Sequence, residues 1–162
     1  MSTYKIARSF ILPLTVLVLV PYSIHTWLTP LTFSNGGSIA LGFVFILMGT
    51  SFLAWTTALF AAYGNGTLAP WDPTEKLVLL GPYRYVRNPM IIAVIMTIIG
   101  ESLLFASLHL FAWAAIFWLI YHLWCVLWEE PQLELKYGRP YLYYREHVPR
   151  WVPLFKPFEY RP

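Results

Sequence analysis

Residues 89–128 read PMIIAVIMTIIGESLLFASLHLFAWAAIFWLIYHLWCVLW, and the rest of the sequence has to fit the architecture that this stretch sets. Its only Asp, Glu, Lys or Arg is Glu101. A helix needs about 20 apolar residues to cross about 30 Å of hydrocarbon. The stretch therefore predicts a hairpin of two membrane helices, at roughly 89–105 and 108–128.

The apolar composition extends toward the amino terminus, because no charged residue occurs between Arg8 and Asp72. That leaves room for two more spans, at roughly 9–28 and 38–62. Pro13 and Pro21 would kink the first span or be accommodated by neighbouring helices. The first span is long for a cleaved signal peptide and lacks a convincing small-residue cleavage site. We predict one all-α integral membrane domain over residues 1–162, with about four transmembrane helices.

Composition and charge agree with this topology. Of the 162 residues, 58% are hydrophobic and 12% charged, whereas an ordinary soluble domain has about a quarter charged residues. All eleven Lys and Arg side chains fall on one side of the four-helix topology, which the positive-inside rule assigns to the cytoplasm together with both termini. Anionic headgroups explain the net charge of +3 without a nucleic acid partner.

The predicted cytoplasmic face carries a loop at 63–88 and a tail at 129–162, so a multi-pass protein with its site on that face is expected. The tail begins EEPQLELKYGRPYLYYREHVPR, which mixes leucines and tyrosines with charges. This pattern predicts an interfacial helix, interrupted near Gly138-Arg139-Pro140.

Polar residues cluster where the loop meets the third span. Asn88-Pro89 suits a helix start, because Asn caps backbone N–H groups and Pro fits the first helical position. The N–H groups of such a start attract an anion such as a carboxylate. Arg84 and Arg87 are three residues apart, so on a helical turn they would share a face and bind a carboxylate or phosphate. The alternative is that both arginines extend to lipid headgroups.

Glu129 and Glu130 put two negative charges at the end of the fourth span, where the helix dipole disfavours them. Either they form a solvated helix end, or they receive an ammonium or sulfonium group or the arginines. A ligand with both a carboxylate and an ammonium would match the helix start and the glutamates together. The amino-acid end of S-adenosylmethionine has this form.

Four motifs carry a family resemblance: GTLAPWDP, LVLLGPYRYVRNPM, EEPQLELKYGRPYLYY and VPRWVP. In this order and spacing they resemble the isoprenylcysteine carboxyl methyltransferase and phospholipid methyltransferase group of integral membrane enzymes. The resemblance covers roughly residues 64–153. It implies methyl transfer from S-adenosyl-L-methionine to a lipophilic or prenylated acceptor.

The resemblance also implies site residues. The expected cofactor contacts are Gly66, Thr67, Glu75, Lys76, Leu77, Val78, Tyr83, Asn88, Pro89, Met90, Ile91 and Glu129. Glu129 would face the amino group of the cofactor. The expected catalytic residues are Arg87 and Arg150, which would orient a carboxylate acceptor, and Glu130. With an amine or hydroxyl acceptor, Glu130 or Tyr144 would take part in proton loss.

Two departures from the prenylcysteine pattern bear on the acceptor. That pattern has His-Pro followed by a tyrosine one residue beyond, where this chain has Asn88-Pro89 and Ile91. Cys125 stands where the eukaryotic prenylcysteine enzymes place an arginine associated with the substrate. Arg87 or Arg150 would have to replace that arginine.

Alternatives remain for the function. The acceptor would be most like an isoprenylcysteine carboxylate, or else a phospholipid or a small-molecule amine or thiol. A small non-catalytic membrane transporter or assembly protein fits less well, because the predicted spans are almost empty of charge. A nicotinamide-dependent lipid reductase would need further spans. The four histidines show no metal-ligand spacing, so no metal is expected.

Overall fold

The computed structural model describes residues 13–28, 36–63 and 77–159. Within these ranges the α-helices are α1 Val20–Trp27, α2 Gly36–Tyr63, α3 Pro89–Leu104, α4 Leu108–Trp124, α5 Glu130–Tyr137 and α6 Arg139–His147. The same ranges contain no β-strand. The predicted all-α fold is therefore confirmed for this part of the chain.

Two helices are long and apolar enough to cross a membrane, Gly37–Tyr63 and the continuous helix Leu108–Tyr137. At 1.5 Å per residue the second is about 45 Å long, roughly 15 Å more than a hydrocarbon core. Its last turns therefore extend beyond such a core. Helix α3, with 16 residues, reaches only about 24 Å. The start of the first predicted span lies outside the described residues, so four spans and cytoplasmic termini stay predictions.

Helices α2 and α3 pack closely through glycines. A Cβ added at Gly49 would lie 2.8 Å from Thr97 N and 2.9 Å from Ala93 O, and one at Gly42 would lie 2.8 Å from Gly100 O. The earlier residue of α2 pairs with the later residue of α3, so the two helices are antiparallel. Small residues let membrane helices approach until their backbones touch.

Large apolar side chains cover the outer faces of the bundle. Leu47 of α2 is 69% exposed and Leu127, in the turn that follows α4, is 71% exposed. Inside, α3 packs against α4 and the segment before α1, in a cluster of Val16, Ile91, Val94, Ile98, Ala114 and Phe117. Extensive exposed apolar surface is the expected surface of a protein that faces lipid.

Two π-helical turns, Thr15–Leu19 and Cys125–Glu129, interrupt the regular helix. Each ends two residues before a proline, Pro21 and Pro131. A proline ring clashes with the carbonyl four residues earlier and removes one N–H donor. The wider turns accommodate both prolines without ending the helix, and π turns are common near functional sites.

The tail folds back on the loop before α3. Gly138, with φ of 60°, ends α5 and starts α6, so the helix is interrupted where the sequence predicts it. We call residues 148–158 the strap. Arg87 N donates to the carbonyl of Pro149 (3.0 Å), Leu154 N to that of Tyr85 (2.9 Å), and Phe158 N to that of Arg84 (2.8 Å). The buried residues Tyr141, Tyr144, Val148 and Phe158 form a second core between the strap and the loop.

Candidate functional site

Glu129 lies at the end of the second π turn, and its carboxylate faces its own helix. Its Oε2 accepts hydrogen bonds from Tyr121 Oη at 3.1 Å and Cys125 Sγ at 3.2 Å. Both donors are neutral, and Glu129 is half-buried. Among the described residues no arginine or lysine forms a salt bridge with this carboxylate. The arrangement presents a partly exposed carboxylate that can take a cationic group.

Glu130, the next residue, is held by two arginines. Arg87 donates through Nη1 to Oε1 at 2.7 Å, while Arg150 donates through Nε to Oε1 at 2.6 Å and through Nη2 to Oε2 at 2.9 Å. The Glu130 and Arg87 side chains are only 10% and 11% exposed. The hydrogen bonds that Arg150 donates to Glu130 raise the pKa of Arg150 above its ordinary value. The cluster of Glu130, Arg87 and Arg150 has a net charge of +1.

Arg87 keeps an unused donor within this group. Its Nε is buried, and no hydrogen-bond acceptor for it occurs in the described part of the chain. A buried donor without an acceptor costs about 1–3 kcal/mol. The charge and the unused donor together suit an anion.

The start of α3 differs in one respect from the prediction. Asn88 is the N-cap residue and Pro89 the first helical residue, as expected, but the Asn88 side chain makes no capping hydrogen bond. The predicted side-chain cap is wrong, because no hydrogen bond joins the Asn88 side chain to the amides it would cap. The first N–H groups of an α-helix have no acceptor within the helix, so the amides of Met90 and Ile91 remain suited to an anion.

Arg84 and Arg87 do not act together. Arg84 ends a 3₁₀ turn at Gly81–Arg84, and its Nε donates to the carbonyl of Phe158 at 2.8 Å. Arg87 reaches Glu130 instead. The expectation that both bind one anion is therefore wrong, because the strap takes Arg84 and the helix end takes Arg87.

Tyr83 lies in the same 3₁₀ turn, buried, with its ring 6.0 Å from that of Phe60. Burial, and then the charge of Glu129, raise its pKa above the ordinary tyrosine value. Tyr144 Oη donates to the Tyr83 carbonyl at 2.7 Å. Burial raises the pKa of Tyr144 as well, so the structure uses this hydroxyl as a protonated donor.

The other predicted cofactor contacts fall into two groups. Leu77 packs against the second core, and Val78 is buried. Both therefore have packing roles in the structure. The remaining four lie outside the described residues: Gly66, Thr67, Glu75 and Lys76.

Sequence reasoning missed part of the surroundings of the glutamates. Tyr121, Cys125 and Glu129 recur every four residues, which puts them on one helix face, and this spacing could have identified the first two as partners of Glu129. A contact between His122 and Trp151 was also missed. Trp151 Nε1 donates to His122 Nδ1 at 3.0 Å, next to Trp118. No local signal in the sequence predicts that contact, because 29 residues separate the partners.

Three further findings bear on the candidate site. In the three described ranges, no group of three or more His, Cys, Asp or Glu could hold a metal ion. The family described as phospholipid methyltransferase matches residues 37–140 of the chain. No curated protein and no solved structure matches the chain.

Proposed function

We propose, because the chain belongs to the phospholipid methyltransferase family, that it transfers a methyl group from S-adenosyl-L-methionine to a lipophilic acceptor. Family membership implies a membrane methyltransferase. The cofactor, the acceptor and a site on the cytoplasmic face are our proposal. The observation that carries it is the Glu129 carboxylate, which has only neutral donors from the described residues and lies beside the glutamate that Arg87 binds.

The residues present fit the amino-acid end of this cofactor. Glu129 would hold its ammonium group, and the amides of Met90 and Ile91 at the start of α3 would hold its carboxylate. Asn88, whose side chain does not cap the helix, would donate a further hydrogen bond, and Tyr83 would close the side of the pocket. The bound cofactor supplies a methyl group on a positively charged sulfur.

The chain has to align an acceptor and exclude water, which are the main contributions to an in-line displacement. Arg87 and Arg150 would orient the acceptor, and Glu130 would fix both guanidinium groups. Together they carry a net positive charge, so a carboxylate acceptor of the isoprenylcysteine type fits best. A carboxylate needs no general base. Glu130 would be a poor base because it is paired with two arginines. Tyr144 would be a poor base because its raised pKa keeps the hydroxyl protonated.

A phospholipid amine is the second candidate acceptor, and the description of the matching family favours it. An amine must lose its proton before or during transfer. Under this alternative, Glu130 would have to leave one arginine to accept that proton. The alternative therefore predicts a strong dependence of methyl transfer on pH, whereas a carboxylate acceptor predicts a weak one.

Binding of labelled S-adenosylmethionine to the purified protein tests the cofactor. Glu129→Gln should weaken binding at least tenfold, because it removes the charge that faces the ammonium group. Glu134→Gln is the matched control, since Glu134 lies on α5 and pairs with Arg145 at a more exposed position. Equal affinity in wild type and Glu129→Gln would refute the site.

Methyl transfer into a panel of acceptors tests the chemistry. The panel contains prenylcysteines, phospholipids and small lipophilic acids, amines and thiols. We expect transfer into a prenylcysteine or another lipophilic carboxylate, with turnover reduced in Arg87→Ala and Arg150→Ala while cofactor binding is kept. Cofactor binding without transfer into any acceptor would favour a non-catalytic protein, and absence of both would contradict the proposed function.

A further inference from the structure

The strap carries an exposed apolar surface that the proposed chemistry does not use. Phe155 is fully exposed and Val152 is 72% exposed. Between and beside them, Leu154 and Phe158 pack inward against the second core. The side chains thus separate into an inner face on the protein and an outer apolar face formed by Val152 and Phe155.

This outer face is held in place rather than loosely attached. The N–H groups of Leu154 and Phe158 donate to the carbonyls of Tyr85 and Arg84. At the other end of the strap, the indole of Trp151 donates to His122 Nδ1 at 3.0 Å. Two apolar side chains are therefore presented to the outside by a backbone that is fixed on both sides of them.

The position of Trp151 gives the depth of the strap. His122 precedes Trp128, the end of the predicted fourth span, by six residues, which corresponds to about 9 Å along a helix. The ring of Trp151 also lies 6.1 Å from that of Trp118, one turn further into the span. The strap thus begins at the level of the apolar part of α4, beside side chains that face lipid.

The backbone of the strap is suited to the headgroup boundary, where water can reach the N–H groups of residues 150–152, 155 and 156, which have no backbone acceptor among the described residues. Non-helical backbone is tolerated inside a membrane only where its polar groups are satisfied. Pro149, Pro153 and Pro157 have no N–H group, and two other N–H groups of the strap bind the loop before α3. Lys156 follows Phe155 and is exposed, so its ammonium group can reach headgroup phosphates while its stem lies along the apolar layer.

We propose that the strap inserts Val152 and Phe155 into the bilayer leaflet on the side of the candidate site, at the boundary between headgroups and acyl chains. The inserted strap then forms a lipid-embedded wall beside Arg150, which is adjacent to Trp151 in sequence. This proposal goes beyond the proposed function. It depends on the protein crossing a membrane but does not depend on methyl transfer.

Spin-label accessibility in vesicles of phosphatidylcholine and phosphatidylglycerol tests the insertion. A nitroxide is attached to the variant Phe155→Cys. Leu127→Cys is the lipid-facing reference, and Glu146→Cys, at an exposed position of α6, is the aqueous reference. The native Cys125 is 1% exposed, and labelled wild type measures its background. The labels are then probed with oxygen, which concentrates in lipid, and with a neutral nickel chelate, which stays in water.

We expect the label at 155 to collide severalfold more with oxygen, and severalfold less with the chelate, than the label at 146. The ratio of the oxygen collision rate to the chelate collision rate at 155 should approach the ratio at 127. A ratio at 155 equal to that at 146 would overturn the proposal. Low collision rates with both reagents would also overturn it, because a second protein copy would then cover Phe155. The proposed function fails separately, through cofactor binding and methyl transfer, neither of which this experiment measures.

Discussion

The environments of Glu129 and Glu130 differ although the two residues are neighbours of the same type. Glu129 receives hydrogen bonds from a tyrosine and a cysteine, whereas Glu130 is shared by two guanidinium groups. A buried charge is tolerable only when opposite charge and hydrogen bonds compensate for lost water. Glu130 therefore holds the loop, the helix end and the strap together, because all three meet at its carboxylate.

Loss of the Glu130 charge should destabilise the protein. Glu130→Gln leaves Arg87 and Arg150 without their shared partner, so the free energy of unfolding should fall by roughly 3 kcal/mol. Glu134→Gln affects a pair whose side chains are 36% and 41% exposed, and should cost less than about 1 kcal/mol. Denaturant unfolding in the same detergent measures both. Equal losses would contradict the compensating role of Glu130.

Ionisation of Tyr141 should lower the free energy of unfolding at high pH. Burial, and then the charge of Glu130, raise the pKa of Tyr141 to about 12 from the ordinary 10.0. Because the folded pKa is the higher one, this contribution is complete below pH 10 and is lost as pH rises toward 12. Tyr141→Phe should lose less unfolding free energy over this window than wild type. The unfolding free energy of both proteins is measured across this pH window. Equal losses in wild type and Tyr141→Phe would refute the assignment.

At the scale of elements, the contact between α2 and α3 depends on residues with almost no side chain. Gly49 lies against the backbone at Ala93 and Thr97. A methyl group at this position has to separate two helices that pack along much of their length. Overpacking of this kind destabilises proteins by about 1–3 kcal/mol.

Gly49→Ala should therefore lower the thermal midpoint in detergent, with a loss of about 1–3 kcal/mol. Gly37→Ala is the matched control, because it lies on the same helix and a Cβ there meets nothing within 4 Å. That variant should be neutral or slightly stabilising, since Ala is a better helix former than Gly. A lower midpoint for Gly37→Ala than for Gly49→Ala would contradict the packing argument.

The helices were predictable and several of their contacts were not. The uncharged run at 89–128 predicts spans at 89–105 and 108–128, and the structure has α3 at Pro89–Leu104 and a helix from Leu108. The partner of Arg84 was not predictable, because Phe158 is 74 residues away in sequence. The pairing of Glu130 with Arg87 was one of the alternatives that the sequence offered for the two glutamates. The π turns were not predictable, because a nearly continuous apolar run shows no period that distinguishes a π turn from an α-helix. Spacing alone could have placed Cys125 beside Glu129.

At the scale of the whole molecule, the strap connects the tail to both the loop and α4. Trp151 holds its beginning through His122, and Arg150, the preceding residue, binds Glu130. The position of Arg150 therefore depends on a contact that is remote from any bound ligand. This makes Trp151 a positioning residue in the proposed reaction.

Trp151→Phe removes the hydrogen bond to His122 and keeps an aromatic ring. We expect kcat to fall roughly tenfold, because small misplacements of an orienting group slow a reaction strongly. The affinity for S-adenosylmethionine should stay unchanged, since Glu129 is held by its own helix. Trp128→Phe, which changes an exposed ring stacked on Trp124, is the control. An equal fall in kcat for both variants would contradict a specific role of the hydrogen bond between Trp151 and His122.

The adjacency of Glu129 and Glu130 places both parts of the proposed site at one helix end. Consecutive Cα atoms are 3.8 Å apart across a trans peptide bond, so the backbone of Glu129 in the proposed cation site stays next to the backbone of Glu130. Arg87 and Arg150, which would orient the acceptor, move with the loop and the strap but share the Glu130 carboxylate. Glu130 thus gives the loop and the strap one common attachment point on the helix that carries the proposed cation site.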